Sequence, residues 1–253
     1  MGVFSGPKVS GSESNSLVLL LDVGSKKSYV GSGVTITNLR GDGTNQFSIK
    51  DSFYRMYDFE VGDYIFPNTP PSSLTFSSSN GGTVVFDGIQ NYLDISAPNL
   101  SSTTTVEIWA KLGTNYSNNT LFSFGAYTVW CNSGGLGFNT SNDDLFGISS
   151  ATASSLGLVN NWKQYVFEMR SDVAYTNNKI YINAAVQTLS QQRGSESSSN
   201  RNFNNGSGRI SSWSSTPGYE MPMTFGLVRI YNRSLTSSEI SANFNSNRSR
   251  FGI

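Results

Sequence analysis

The sequence predicts an all-β fold, a two-sheet antiparallel sandwich, and three observations carry that expectation. Short apolar runs recur along the 253 residues, each bounded by Gly, Asn or Ser, at the spacing of sandwich strands. Aromatic residues make up 13% of the chain, level with charged residues at 13%, so there is material for a core that a disordered polar chain would lack. A single helix signal stands out, at the very end. One large domain accommodates this length, with enough buried surface to fold without disulfides.

Residues 1–16 show no periodicity and read as an N-terminal extension, held either by a partner subunit or by docking on the chain's own domain. Val3, Phe4, Pro7 and Lys8 are its candidate attachment residues. The domain proper is expected over 17–253. LVLLLDVG, from Leu17, is a buried strand ending in an acidic turn, and Gly-rich loops around short apolar segments follow it. Residues 51–79 are aromatic-rich but broken by Pro67, Pro70 and Pro71, which predicts a loop insertion with at most short strands. GGTVVFDGIQNYLDI reads as strand, tight turn at Asp87-Gly88, and strand, a hairpin-type reversal. STTTVEIWAKL, TLFSFGAYTVWC, GLGFNT and LFGISS each read as a short strand. In NNWKQYVFEMR, Trp162, Tyr165 and Phe167 fit no single face. NNKIYINAAVQTL is strand, turn and strand, and GRISSW and TFGLVRIYN supply the last strands.

The end of the chain changes character. Thr236 followed three residues later by Glu239 is a capping box, and Leu235 can staple against Ile240. Ile240 and Phe244, four apart, share one face of a short helix near 236–246. So short a helix needs docking to persist, which places it across the sandwich.

RIYNRSLTSSEISANF resembles the closing signature of the concanavalin A-like, laminin-G-type jelly roll, where such a strand leads into a Leu-Thr-x-x-Glu-Ile helix. GGTVVFDGIQNYLDI, TVEIWAKL and NNKIYINAA resemble further motifs of that family, in the family's order. LVLLLDVGSKKSYVGSGVTITNLRGDG is similar to the opening of such domains in tailed-phage structural proteins. The resemblance implies a jelly-roll sandwich over most of 17–253. Asn183-Ala184 stands where the family commonly has Asn-Gly, a departure that leaves room for a different turn type.

The chemistry in the sequence is sparse. Formal net charge is zero, with 17 basic and 17 acidic residues and no basic stripe, which argues against nucleic acid as a partner. Leu17–Leu21 is too short for a membrane span or the core of a signal peptide, so neither a membrane nor secretion is expected. The single cysteine, Cys131, permits no intrachain disulfide and reads as a buried apolar side chain. No histidine is present to serve a Ser or Cys nucleophile. The Glu-x-Asp-x-x-Glu strand that glycosidases of the resembled fold share is missing, and Glu107 and Glu168 stand alone in their strands, so no catalytic residues are expected.

Two binding sites remain as candidates. Asn142, Asp143 and Asp144 form the best local cluster of hard oxygen ligands for Ca2+, a cation that laminin-G-like domains often hold, with an ordinary solvated turn as the alternative. Trp130, Trp213 and Tyr219 lie near polar loops and could stack on a sugar, or simply pack in the core or rim. With no catalytic groups, the resemblance implies a non-enzymatic phage virion structural protein: a capsid decoration, head-fibre or tail-associated protein. It would contact other virion proteins through residues 1–16, be located in the virion after assembly in the host cytoplasm, and have homo-oligomers as a candidate state. The alternative is a carbohydrate-binding adhesion module that recognises host-surface or extracellular polysaccharide.

Overall fold

The computed structural model describes residues 16–253 except 33–34, 41–45, 52–55, 59–62, 66–74, 90, 97–99, 126, 140–143, 196–206 and 214–217. The attachment residues Val3, Phe4, Pro7 and Lys8 lie outside the described residues, as do Asn142 and Asp143.

The chain opens with β1 (Leu17–Asp22), β2 (Thr35–Thr37) and β3 (Gln46–Asp51), then a separate two-stranded pair, β4 (Met56–Asp58) and β5 (Asp63–Ile65). β6 (Thr75–Ser77), β7 (Thr83–Asp87), β8 (Asn91–Ser96) and β9 (Thr103–Leu112) follow. β10 (Asn119–Phe124), β11 (Tyr127–Asn132), β12 (Gly135–Phe138) and β13 (Leu145–Ile148) lead to a short helix, α1 (Ser150–Ser155). Next are β14 (Trp162–Arg170), β15 (Lys179–Ile182), β16 (Ala185–Val186), β17 (Ser190–Arg193), β18 (Ser207–Ile210) and β19 (Pro222–Tyr231). The helix α2 (Ser237–Asn247) comes last.

Two antiparallel sheets form a sandwich. The first runs β16-β15-β14-β9-β19-β7-β6, with β1 also paired to β19, and the second runs β17-β13-β12-β11-β10-β18-β8-β3-β2. Alternate side chains of each sheet turn inward, as strand geometry requires. Val106, Ile108, Tyr165, Phe167 and Val228 of the first sheet share one core with Phe122, Phe124, Val129 and Phe138 of the second. Phe167 meets Phe122 edge-on across that core, with ring centroids 5.2 Å apart.

The outer face of the first sheet is buried too, because α2 and the residues after it lie across it. Leu235 and Ile240 pack with Leu17, Val166, Tyr181 and Tyr231, so the expected staple forms within a larger apolar cluster. Phe244 and Phe251 stack on Trp109 at 5.9 and 4.7 Å. With both faces buried, β14 has no reason to alternate in polarity, which is why NNWKQYVFEMR showed no single apolar face. Beneath α2, Glu107 is fully buried. Its Oε1 accepts from Trp109 Nε1 at 2.9 Å, Gln164 Nε2 at 3.0 Å and Arg229 Nη1 at 3.1 Å. Its Oε2 accepts from Asn243 Nδ2 of the helix at 2.9 Å. Beyond α2, Arg250 donates to Asp22 Oδ1 at 2.8 Å and to the carbonyls of Asn80 and Gly82 at 2.8 and 3.1 Å, fastening the C-terminal segment to β1 and β7.

Two expectations need correction. GGTVVFDGIQNYLDI is not a hairpin: β7 pairs with β6 and β19, whereas β8 pairs with β3 and β18, so the turn carries the chain from one sheet to the other. Asp87 holds this corner by accepting the Ile89 N–H at 2.8 Å, and Gly88 adopts φ 74° where a Cβ would collide with Pro222. TLFSFGAYTVWC is two strands, β10 and β11, reversing beside Gly125 at φ 54°. A further short helix without a periodic signal, α1, is capped by the Ser149 hydroxyl accepting from Thr152 N at 3.1 Å. At Asn183-Ala184 both residues keep positive φ, 50° and 63°, as the two central residues of a type I′ turn do, so alanine occupies a backbone conformation that favours glycine.

Candidate functional site

The connection from β18 to β19 folds back on the rim of the sandwich. Among its described residues, buried polar groups and the buried Met221 side chain hold it in place. The Ser211 hydroxyl reaches the Met221 carbonyl at 3.0 Å and accepts the Met221 N–H at 3.1 Å, closing the base of the loop. Glu220, itself buried, accepts the Gly218 N–H at 2.9 Å. The Tyr219 carbonyl accepts the Thr120 N–H at 2.7 Å, tying the loop to the start of β10.

This scaffold presents two rings to solvent. Trp213 is 39% exposed and Tyr219 53% exposed, and among the described residues they are the only aromatic members of the large exposed hydrophobic side chains. Their centroids lie 6.2 Å apart with planes at 73°, an edge-to-face pair. Tyr219 has φ 62°, a left-handed conformation that costs a non-glycine residue roughly 1–2 kcal/mol. Such strain persists only where the surroundings over-determine it, and here the Thr120 and Glu220 contacts do so.

A charged pair adjoins the rings. Arg209 on β18 donates from Nε to Asp94 Oδ1 of β8 at 3.0 Å and from Nη1 to the Trp213 carbonyl at 2.8 Å. Its guanidinium lies 4.6 Å from the centroid of the Tyr92 ring. Strand register makes this arrangement: Arg209 sits directly opposite Asp94 across the β18–β8 pairing, and Tyr92 lies two residues before Asp94 on the same face.

The sequence candidates therefore separate. Trp213 and Tyr219 come together on the rim, whereas Trp130 does not join them. Only 5% exposed, Trp130 spends its indole N–H on the Asp144 carbonyl at 3.2 Å, so it offers no open face for stacking. Asp144 is the one member of the Asn142, Asp143 and Asp144 cluster within the described residues. Its carboxylate accepts the Ser195 N–H at 3.3 Å, and a Cβ on Gly194 would coincide with that carboxylate, so Asp144 fits a role in pinning the turn after β17. No group of three Asp, Glu, Cys or His side chains suited to a cation comes together among the described residues. Arg209 and Asp94 were missed by sequence reasoning. Their signal was present in RISS and YLDI, where single charges interrupt apolar strands, but only the pairing of β18 with β8 brings them together.

The two strand carboxylates are engaged elsewhere. Glu107 is sealed under α2, and Glu168 takes Arg170 Nη2 at 3.2 Å and Lys179 Nζ at 3.7 Å. Burial pushes the Cys131 thiol far above its ordinary value, so it is no nucleophile at neutral pH.

The family model of the concanavalin A-like lectin/glucanases superfamily matches residues 87–241, more than half of the chain. The chain belongs to this superfamily. Its sandwich is also found in solved structures that share the fold at low identity. The binding domain of Paraclostridial Mosquitocidal Protein 1 superposes with a TM-score of 0.58 at 15% identity, over 92% of this chain and 52% of that one. The receptor binding domain of the botulinum neurotoxin C/D mosaic serotype gives 0.55 at 10% identity, over 92% and 51%. A structure of botulinum neurotoxin type C, whose way into cells depends on interaction with two ganglioside molecules, gives 0.53 at 14% identity, over 93% and 52%. The chain spans about half the length of these structures. No curated protein matches it by sequence.

Proposed function

We propose that this concanavalin A-like domain is a non-enzymatic carbohydrate-binding adhesion module, and that it recognises a cell-surface or extracellular polysaccharide at the Trp213–Tyr219 rim. The observation that carries the reading is the pair of exposed rings held by a buried polar scaffold, the only large exposed aromatic side chains among the described residues. Sugars present flat C–H faces edged with hydroxyls, and aromatic rings supply contact area at low entropic cost. Support also comes from the fold's other members, which include toxin binding domains, one of them dependent on two ganglioside molecules.

A glycan array probed with the full chain, with and without calcium, tests this. Saturable binding to at least one glycan is expected, and W213A or Y219A should weaken it by about 2 kcal/mol, roughly thirtyfold, the scale of a central aromatic anchor. Unchanged melting temperatures would show that the loss is local. An array without hits, or binding indifferent to both substitutions, would sink the proposal.

A second reading concerns where the module is displayed. The opening LVLLLDVGSKKSYVGSG, similar to that of tailed-phage structural proteins, favours a virion as its carrier, with residues 1–16 contacting other virion proteins. Deleting residues 1–16 should then abolish incorporation into particles while leaving glycan binding intact. Normal incorporation would count against that attachment.

A further inference from the structure

We infer that the rim holds one sugar residue at the end of a chain or branch, and not a run of residues along a linear polysaccharide. This deepens the carbohydrate-binding reading and rests on it. The angle between the rings decides it. A flat or gently twisted chain turns the faces of successive sugars toward a common surface. A site that reads several of them therefore needs aromatic rings lying side by side in nearly one plane. Trp213 and Tyr219 instead stand at 73°, with centroids 6.2 Å apart. In such an edge-to-face pair the edge of one ring abuts the face of the other, so the two cannot both lie flat against one chain. Ser214, Ser215, Thr216 and Pro217, the residues between Trp213 and Gly218, add no aromatic ring.

The angle is built into the loop. The Trp213 main chain is held on both sides: its N–H donates to the Gly218 carbonyl at 3.4 Å, and its carbonyl accepts from Arg209 Nη1 at 2.8 Å. Gly218 in turn donates its N–H to the buried Glu220 carboxylate at 2.9 Å. The Tyr219 carbonyl accepts the Thr120 N–H at 2.7 Å. With both backbones fixed and only two side-chain torsions in each residue, turning the rings into one plane breaks their contact. The corner is thus formed before a ligand arrives, which spares the ordering cost of binding. One ring takes the apolar face of a sugar, and the other stands upright against that sugar's edge. A residue inside a chain carries linkages on two of its edges. A terminal residue carries one, and its remaining edge is free to meet the upright ring.

The test uses the full chain and a soluble ladder made from the glycan that binds best on the array. The ladder is truncated from the reducing end, disaccharide to hexasaccharide, so every member keeps the same terminal residue. Affinity should change by about threefold or less along it, because added residues find no second ring to stack on. W213A and Y219A should each weaken the disaccharide and the hexasaccharide by the same factor. Capping the terminal residue of the hexasaccharide with an isopropylidene acetal should weaken binding by about tenfold, although every inner residue is intact. A steeper rise with length, or a substitution that weakens the hexasaccharide and spares the disaccharide, would overturn the inference while leaving carbohydrate binding in place. So would a capped hexasaccharide that binds as well as the free one. A chain that binds no glycan, or binds every length equally well with both rings replaced, would instead remove the functional reading itself.

Discussion

Glu107 shows how one residue can be informative in the sequence and still be misread. In TVEIWAKL it is a lone carboxylate among apolar neighbours, and in FGLVRIY Arg229 is a lone cation of the same kind. The β9–β19 register sets the two directly opposite each other, and α2 then seals them from water. Burial pushes the Arg229 guanidinium down, but Glu107 beside it, aided by Tyr231 and Asp22, outweighs that and holds Arg229 above its ordinary value. Removing one partner strands the other in a dry interior. E107A should therefore cost about 3–5 kcal/mol in denaturant unfolding. E107Q, which keeps oxygen for some of the donors, should cost less. A loss below about 1 kcal/mol for E107A, the range of an exposed pair, would contradict the buried network. What the sequence withheld was the pairing. Two isolated charges are legible one by one, but their meeting depends on register between strands more than a hundred residues apart.

The C-terminal helix was legible because its signals are local. Thr236 accepts the Glu239 N–H at 3.2 Å and Glu239 returns to the Thr236 N–H at 2.8 Å, the box expected from their spacing. Arg233 adds two contacts to the same carboxylate, at 2.6 and 2.9 Å. Arg233 above all, with the Thr236 N–H and hydroxyl, holds the Glu239 carboxyl down at about 2 against the opposing pull of burial. Because the folded value lies below the ordinary 4.5, this group contributes stability above about pH 4.5, and the contribution is lost as pH falls toward about 2. Melting temperature should decline through that window, and E239Q should lose this part of the decline. Identical slopes for the two proteins would contradict the cap. Other elements were less legible for physical reasons. SATASS forms α1 on a serine cap without an apolar stripe, so periodicity had nothing to detect. Asp87-Gly88 has the composition of a tight turn, but which sheet receives β8 is decided by its partners β3 and β18.

At the scale of the molecule, the ordered apolar runs and the closing signature were enough to indicate the sandwich, because alternation and turn residues are written locally. The Trp213–Tyr219 rim was only partly legible. Exposure separates Trp213 and Tyr219 from Trp130, and exposure depends on which strand faces and loops the finished fold leaves open. α2, Phe251 and Arg250 close the outer face of the first sheet, and the β18–β19 loop holds two rings outward at the rim. The chain's four tryptophans allow that division to be read in one spectrum, since each contributes one indole N–H signal. The direct measurement is an NMR titration of those four signals with the tightest-binding glycan from the array. The Trp213 signal should move in proportion to saturation while those of the buried Trp109 and Trp130 hold still. A saturated complex in which Trp213 is unmoved, or in which Trp109 or Trp130 moves instead, would contradict recognition at the rim.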